Sequence, residues 1–154
     1  MHANERVGYN EEYYMTTHTN SRIPATTTVG PVTLKVADLS RMTSFYQDAI
    51  GLTSLSASSK SVQLGTSEGR ILVQLEELTG AVIANRRSPG LFHQAILLPT
   101  RAELGRTLIN LIQSGWRLSG AGDHLVSEAL YLNDPEGNGI ELYVDRPEAT
   151  WSRQ

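Results

Sequence analysis

The stretch that decides the fold is residues 32–39, VTLKVADL, which is followed by apolar residues at helical spacing as far as Gly51. Apolar residues alternate with Thr33 and Lys35, which is the period-2 pattern of a half-buried strand. Asp38 is a favourable helix N-cap, and a glycine such as Gly51 often follows the last turn of a helix. The sequence therefore predicts a strand that leads directly into an amphipathic helix.

The same plan returns 62 residues later. Residues 92–98 predict a strand, and Thr100 with Glu103 forms a T-x-x-E capping box before a second helix that ends at Gly115. Three strand candidates follow each helix, near 53–58, 61–65 and 70–76 in the first half and near 117–124, 127–133 and 140–144 in the second. The sequence thus predicts an α+β fold in which two βαβββ modules form an open, cup-shaped mixed sheet around a shared concave pocket.

The module boundaries follow from the change in composition around residue 30. Residues 1–29 are rich in Thr, Asn, Glu and Tyr and have no regular period. We therefore predict an N-terminal arm over 1–29, a domain over 30–147 with modules at about 30–80 and 90–147, and a tail over 148–154. The arm cannot build a core of its own, so an ordered arm should bury Tyr13 or Tyr14 on this chain or on a neighbour. The alternative is a tail left over from cloning.

Composition excludes several classes of function. The chain has 154 residues, with 13 Lys and Arg against 16 Asp and Glu, a formal net charge of −3, and no basic block that would mark a nucleic-acid-binding surface. It has no cysteine, which excludes disulfides, thiolate metal sites and cysteine nucleophiles. No signal-peptide core and no apolar run of about 20 residues is present. These features predict a cytoplasmic protein that acts on a small molecule or another protein and binds no membrane.

Two stretches resemble the vicinal-oxygen-chelate superfamily, which includes glyoxalase I, bleomycin-resistance proteins, fosfomycin-resistance enzymes and extradiol dioxygenases. Residues 32–52 resemble its opening strand and helix. Residues 122–143, GDHLVSEALYLNDPEGNGIELY, with residues 145–147 and Trp151, resemble the first half of the catechol 2,3-dioxygenases of Bacillus type. The resemblance covers about residues 29–151. Those dioxygenases carry four modules, so the chain is either a two-module relative or a piece of a longer protein.

The resemblance implies a metal site with one ligand on the first strand of each module and one on the last strand. Two histidines and a carboxylate suit Fe(II) or another divalent metal. His93 and Glu141 occupy two of these positions. The internal repeat places Pro31 opposite His93, and aligning the last strands of the modules places Leu72 opposite Glu141. Neither Pro31 nor Leu72 can donate a ligand, so the contribution of module 1 is missing.

Two further residues resemble groups that orient the substrate and transfer protons in extradiol dioxygenases, namely His124 and Tyr131. His124 has a second possible role as a third metal ligand beside His93 and Glu141. Simpler interpretations also exist. His93 is then a hydrogen-bonded strand residue and Tyr131 a pocket wall. Glu141, which needs a cation or strong donors if buried, is then neutralised by Lys35.

The sequence therefore predicts a protein similar to half of an extradiol catechol dioxygenase, with an incomplete metal site and a small aromatic or drug-like ligand. One alternative is a non-catalytic binding module of the drug-sequestering kind. Another is the structural half of a longer dioxygenase. A homodimer, or a second half of the chain, would close the pocket in these cases.

Overall fold

The computed structural model of the protein describes residues 22–83 and 90–151. Module 1 contains β1 (Val32–Val36), α1 (Leu39–Asp48), β2 (Thr53–Ala57), β3 (Ser61–Gly65) and β4 (Ile71–Glu77). Module 2 contains β5 (His93–Leu97), α2 (Arg101–Gln113), β6 (Leu118–Asp123), β7 (Ser127–Asn133) and β8 (Gly139–Asp145), followed by a short 3₁₀ helix, Glu148–Thr150. Every predicted strand and helix is present, with ends that differ from the prediction by one or two residues.

The two modules have the same topology. Their strand orders are β1-β4-β3-β2 and β5-β8-β7-β6. In each sheet the first strand pairs in parallel with the last, and the other neighbours are antiparallel. The predicted α+β class and internal repeat are therefore confirmed. In the described parts of the chain no ladder joins β1 to β5, so the two sheets are hydrogen-bonded separately.

Both helices begin at the side-chain caps that the sequence predicts. The Asp38 carboxylate accepts from the backbone N–H of Arg41 at 2.9 Å, and the Thr100 hydroxyl accepts from the backbone N–H of Glu103 at 3.2 Å. The predicted capping box is only half formed, because the Glu103 carboxylate binds Arg106. Both helices end before a glycine with positive φ, at Gly51 and Gly115.

One hydrophobic core is shared by the two modules. Its largest fully buried side chains are Val36, Met42, Phe45, Tyr46, Leu64, Val73, Leu75, Leu111, Leu132, Ile140 and Leu142. The ring of Phe45 in α1 packs edge to face on Trp116, which follows α2, with 4.8 Å between ring centroids. The helix of module 1 is therefore packed against module 2 as well as against its own sheet.

A buried polar cluster also joins the modules. The Tyr46 hydroxyl in α1 donates to the Asp134 carboxylate at 3.3 Å and accepts from the Gln94 amide at 2.6 Å. Burial raises the pKa of Asp134 and, together with the neighbouring Asp134, the pKa of Tyr46. In the next residues the Glu136 carboxylate accepts from the backbone N–H of Ala37 at 2.9 Å. The turn after β7 therefore contacts module 1 through both Asp134 and Glu136.

This cluster predicts a measurable loss of stability when the Tyr46 hydroxyl is removed. Tyr46→Phe leaves Asp134 and Gln94 buried with one partner fewer, so the free energy of unfolding in urea should fall by about 1–3 kcal/mol. Tyr143→Phe is the matched control, because Tyr143 is only partly buried on the other face of the sheet, and it should change stability by less than about 0.5 kcal/mol. Equal effects of the two variants would contradict the proposed link.

Two predictions lie partly or wholly outside the described residues. The arm residues Tyr13 and Tyr14 belong to 1–21, so their predicted burial stays a prediction, as do the domain boundaries. Within residues 22–83 and 90–151, no helix combines the length and the hydropathy required to span a bilayer.

Candidate functional site

Strand alternation brings three ionisable side chains to the concave face of the second sheet. In β8, Ile140 and Leu142 are buried in the core, so Glu141 between them lies on the opposite, concave face. Tyr131 in β7 lies directly opposite Glu141 in the antiparallel ladder. His93 begins β5, which pairs with β8 on its other side. Three neighbouring strands of the sheet therefore present one row of polar groups.

His124, which follows β6, extends this row to four side chains. Its Nε2 lies 2.7 Å from the Tyr131 hydroxyl oxygen. The Tyr131 hydroxyl donates to Glu141 Oε1 at 2.9 Å. The other carboxylate oxygen, Oε2, lies 3.0 Å from His93 Nε2. The structure thus brings together all four residues that the sequence singles out, and we call them the polar row.

The number of protons fixes the direction of these hydrogen bonds. A tyrosine hydroxyl has one proton, and Tyr131 gives it to Glu141. His124 Nε2 must therefore donate to the Tyr131 oxygen, and His93 Nε2 lies 3.0 Å from Glu141 Oε2. Both branches end on the Glu141 carboxylate, whose side chain is 16% exposed. A carboxylate has about four lone-pair sites, so the two contacts leave acceptor capacity for a ligand.

The environment of Tyr131 keeps its proton in place. The pKa of Tyr131 is raised above its usual value. The largest cause is partial removal from water, and the hydrogen bond to Glu141 and the charge of that carboxylate contribute less. The hydroxyl therefore stays neutral at neutral pH. It connects His124 to Glu141 through two hydrogen bonds.

Two glycines make room for the two histidines. A Cβ at Gly122 would lie 2.7 Å from His124 Nε2, and a Cβ at Gly139 would lie 2.3 Å from the Phe92 carbonyl oxygen and 3.0 Å from the Cβ of His93. Neither glycine was predicted from the sequence to have this role. The available signal was that Gly139 directly precedes the alternating pattern of β8, where a glycine marks the close approach of another strand.

Strand register corrects the predicted equivalence of Leu72 and Glu141. The β1–β4 ladder pairs position 32 with position 73, and the equivalent β5–β8 ladder pairs position 94 with position 140. The counterpart of Glu141 in module 1 is therefore Gln74. Gln63 lies opposite Gln74 in its ladder, as Tyr131 lies opposite Glu141. Module 1 thus carries neutral amides where module 2 carries the polar row.

The structure also corrects the predicted partner of Glu141. Lys35 Nζ lies 2.7 Å from Glu76 Oε2, so this lysine neutralises a carboxylate of its own module. Gln74 donates to the other oxygen of Glu76 at 2.7 Å. Glu141 is instead held by Tyr131 and His93. Its neighbours in module 2 are therefore one hydroxyl donor at 2.9 Å and one imidazole at 3.0 Å.

The polar row offers two metal donors and not the three that the resemblance implies. The 3.0 Å between His93 Nε2 and Glu141 Oε2 is about the separation of two adjacent ligands that each lie about 2.1 Å from one ion. His124, however, is engaged by Tyr131. Among residues 22–83 and 90–151, no three His, Asp or Glu side chains converge on one point. The assignment of His124 as a third ligand stays a prediction.

An open groove reaches one end of the polar row, at His93. It has a volume of about 720 Å³ and lies between the start of β1 and the exposed face of β5. His93 and Tyr143 contribute to its module 2 side, and Pro31 and Leu72 contribute to its module 1 side. The mixture of apolar walls and a few polar groups is typical of sites for small ligands.

Comparison with protein families gives one match over most of the chain. Residues 28–142 match the model of the Glyoxalase/Bleomycin resistance protein/Dioxygenase superfamily. Among solved structures, a glyoxylase/bleomycin resistance protein/dioxygenase domain from Frankia sp. EAN1pec aligns with a TM-score of 0.67 at 18% identity, covering 78% of this chain and 98% of that one. This second likeness concerns the fold alone.

Two relatives are more similar in sequence. Catechol-2,3-dioxygenase of Bacillus subtilis is 48% identical over 128 residues, which are 82% of this chain and 45% of the relative. Biphenyl-2,3-diol 1,2-dioxygenase 3 of Rhodococcus globerulus is 30% identical over 114 residues, which are 73% of this chain and 60% of the relative. The chain therefore spans about half the length of these relatives.

Proposed function

Because this chain belongs to the Glyoxalase/Bleomycin resistance protein/Dioxygenase superfamily, we propose that it is a dioxygenase-type module that binds a small aromatic vicinal diol at the polar row. The observation that supports this most strongly is the convergence of His93 and Tyr131 on Glu141 beside an open groove. The names of the two dioxygenase relatives supply the diol, since both name aromatic compounds with adjacent hydroxyl groups.

The chemistry of the row matches such a ligand. Two adjacent hydroxyl groups are paired O–H donors, and the Glu141 carboxylate is an acceptor with two oxygens side by side. Hydrogen bonds to a charged acceptor are stronger than those between neutral groups. His93 and Tyr131 hold this carboxylate in one orientation, so little conformational freedom is lost when the diol binds. The apolar walls of the groove would contact the aromatic ring.

In this proposal the chain binds and orients the diol, and it does not cleave the ring on its own. Fe(II) or another divalent metal, which the resemblance implies, would need more protein donors than His93 and Glu141 supply. A second copy, or a further part of a longer chain, would cover the open concave side and close the pocket over the ligand.

Calorimetric titration with catechol tests this function. We expect catechol to bind more tightly than resorcinol, because only adjacent hydroxyls reach both oxygens of Glu141. Glu141→Gln should weaken catechol binding by about ten- to a hundredfold, because it removes the charged acceptor. Glu76→Gln is the matched control, since Glu76 lies on the module 1 sheet and pairs with Lys35, and it should leave the affinity unchanged.

The outcomes separate clearly. Equal binding of catechol and resorcinol, or full affinity in Glu141→Gln, would contradict the proposed site. Loss of affinity in Glu76→Gln as well would show that charge in general, rather than the polar row, attracts the ligand.

A further inference from the structure

The loop that carries His124 has an unusual backbone. Leu125 has a φ of +68°, in the left-handed region that side chains other than glycine rarely adopt. Its side chain is 64% exposed, so burial of that side chain does little to offset the free energy of the strained conformation. Such conformations persist where the surroundings hold them, and they concentrate at functional sites.

Arg146, which directly follows β8, holds this loop from several sides. Its Nη2 lies 2.8 Å from Asp123 Oδ2 and 2.9 Å from Glu128 Oε1, on the strands that enter and leave the loop. Its backbone N–H donates to the Val126 carbonyl at 2.8 Å. Asp123 Oδ1 in turn accepts from the backbone N–H of Leu125 at 3.0 Å.

The arginine itself is fixed by its neighbours. Its carbonyl accepts from the indole N–H of Trp151 at 2.9 Å, and its Nε donates to Glu128 at 3.2 Å. Glu128 is also bound by Arg101 at 2.7 Å. A planar guanidinium that bridges two carboxylates is a rigid connection, unlike the single flexible contact of a lysine.

We propose that Arg146 is a positioning residue that holds Leu125 in its left-handed conformation and thereby aims His124 at the Tyr131 hydroxyl. The ligand-binding consequence rests on the proposed diol site, whereas the structural consequence does not. We call the contacts of Arg146 with Asp123, Val126 and Glu128 the clamp. Without the clamp, the loop relaxes and His124 moves away from Tyr131. The polar row then loses the hydrogen-bond donor at its outer end. Ligand affinity then falls, although Glu141 and His93 are untouched.

The proposal makes a specific prediction about rescue. The left-handed conformation of a non-glycine residue disfavours the loop by a factor of about 5 to 30, and glycine has almost no such penalty. Leu125→Gly should therefore restore the left-handed conformation of residue 125 in an Arg146→Ala background. A merely stabilising ion pair at Arg146 would not be replaced by a glycine at position 125.

The test uses the full chain labelled with ¹⁵N on histidine, with the His124 ring signals assigned from His124→Gln. We call the His124 ring signals of the hydrogen-bonded state, in which His124 contacts Tyr131, the His124 signature. We expect Arg146→Ala to abolish this signature and Arg146→Lys to retain it only in part. Adding Leu125→Gly to Arg146→Ala should restore the signature. Arg106→Ala is the control, because Arg106 pairs with Glu103 on α2 and contacts neither Glu128 nor the loop, and it should leave the His124 signals unchanged.

Catechol titration of the same variants supplies the functional readout. Affinity should fall about 5- to 30-fold in Arg146→Ala and recover in the double variant. An unchanged His124 signature in Arg146→Ala, or failure of Leu125→Gly to restore it, would overturn the clamp. If the unaltered chain does not bind catechol while the His124 signals follow the predicted pattern, the diol site is wrong and the clamp stands.

Discussion

Replacing Gly139 by alanine should separate His93 from Glu141 and abolish high-affinity diol binding. The new Cβ would lie 2.3 Å from the Phe92 carbonyl oxygen, so β5 must move away from β8 at the point where His93 meets the row. Backbone cannot yield as a flexible side chain does, and overpacking of this kind lowers the free energy of unfolding by about 1–3 kcal/mol. Catechol titration and urea unfolding of the same variant measure both effects.

Gly105→Ala is the matched control for this prediction. Gly105 lies within α2, where a Cβ would meet no atom within 4 Å. Alanine is the better helix former, so this variant should be more stable by about 0.5–1 kcal/mol and should bind catechol normally. An unchanged affinity in Gly139→Ala would mean that the close approach of β5 and β8 does not position His93.

Truncating Leu142 should cause a large loss of stability. Leu142 is fully buried in β8, on the core face of the strand whose other face carries Glu141. Leu142→Ala removes packed apolar atoms and leaves a cavity, which should lower the free energy of unfolding by about 2–5 kcal/mol. Guanidinium or urea unfolding followed by circular dichroism measures the change.

Leu97→Ala supplies the comparison for the same substitution on the concave side. Leu97 is 54% exposed at the end of β5, so its truncation should change stability by less than about 1 kcal/mol. A similar loss in both variants would contradict the assignment of the two faces of the sheet, and with it the position of the polar row.

The elements of the fold could be predicted because their signals are local. Alternation in residues 32–36 and 140–144 gives strands, and caps such as Asp38 and Thr100 give the helix starts. Alternation also sets the face of each side chain, so Glu141, between two core residues, lies on the opposite face of the sheet. The four residues of the polar row were selected by the resemblance to the vicinal-oxygen-chelate superfamily.

What the sequence could not provide depends on contacts between distant segments. The β3–β4 ladder shifts its register between Leu64 and Gly65, whereas the β7–β8 ladder is regular. Aligning the two glycine-containing turns therefore selected Leu72 instead of Gln74. The bond between Tyr46 and Asp134 joins residues from different modules, and no local pattern indicates it. The backbone of Leu125 is likewise set by Arg146, twenty-one residues later.

We propose above that the polar row binds a diol, and that within residues 22–83 and 90–151 it has too few metal donors beside it to cleave the ring. The most direct measurement is to load the protein with Fe(II) without oxygen, add catechol, admit oxygen and record the yellow ring-fission product. We predict product formation no faster than with Fe(II) in buffer, by a protein that still binds catechol. Robust turnover that is lost in Glu141→Ala would contradict the claim and show that His93 and Glu141, with or without His124, complete a working site.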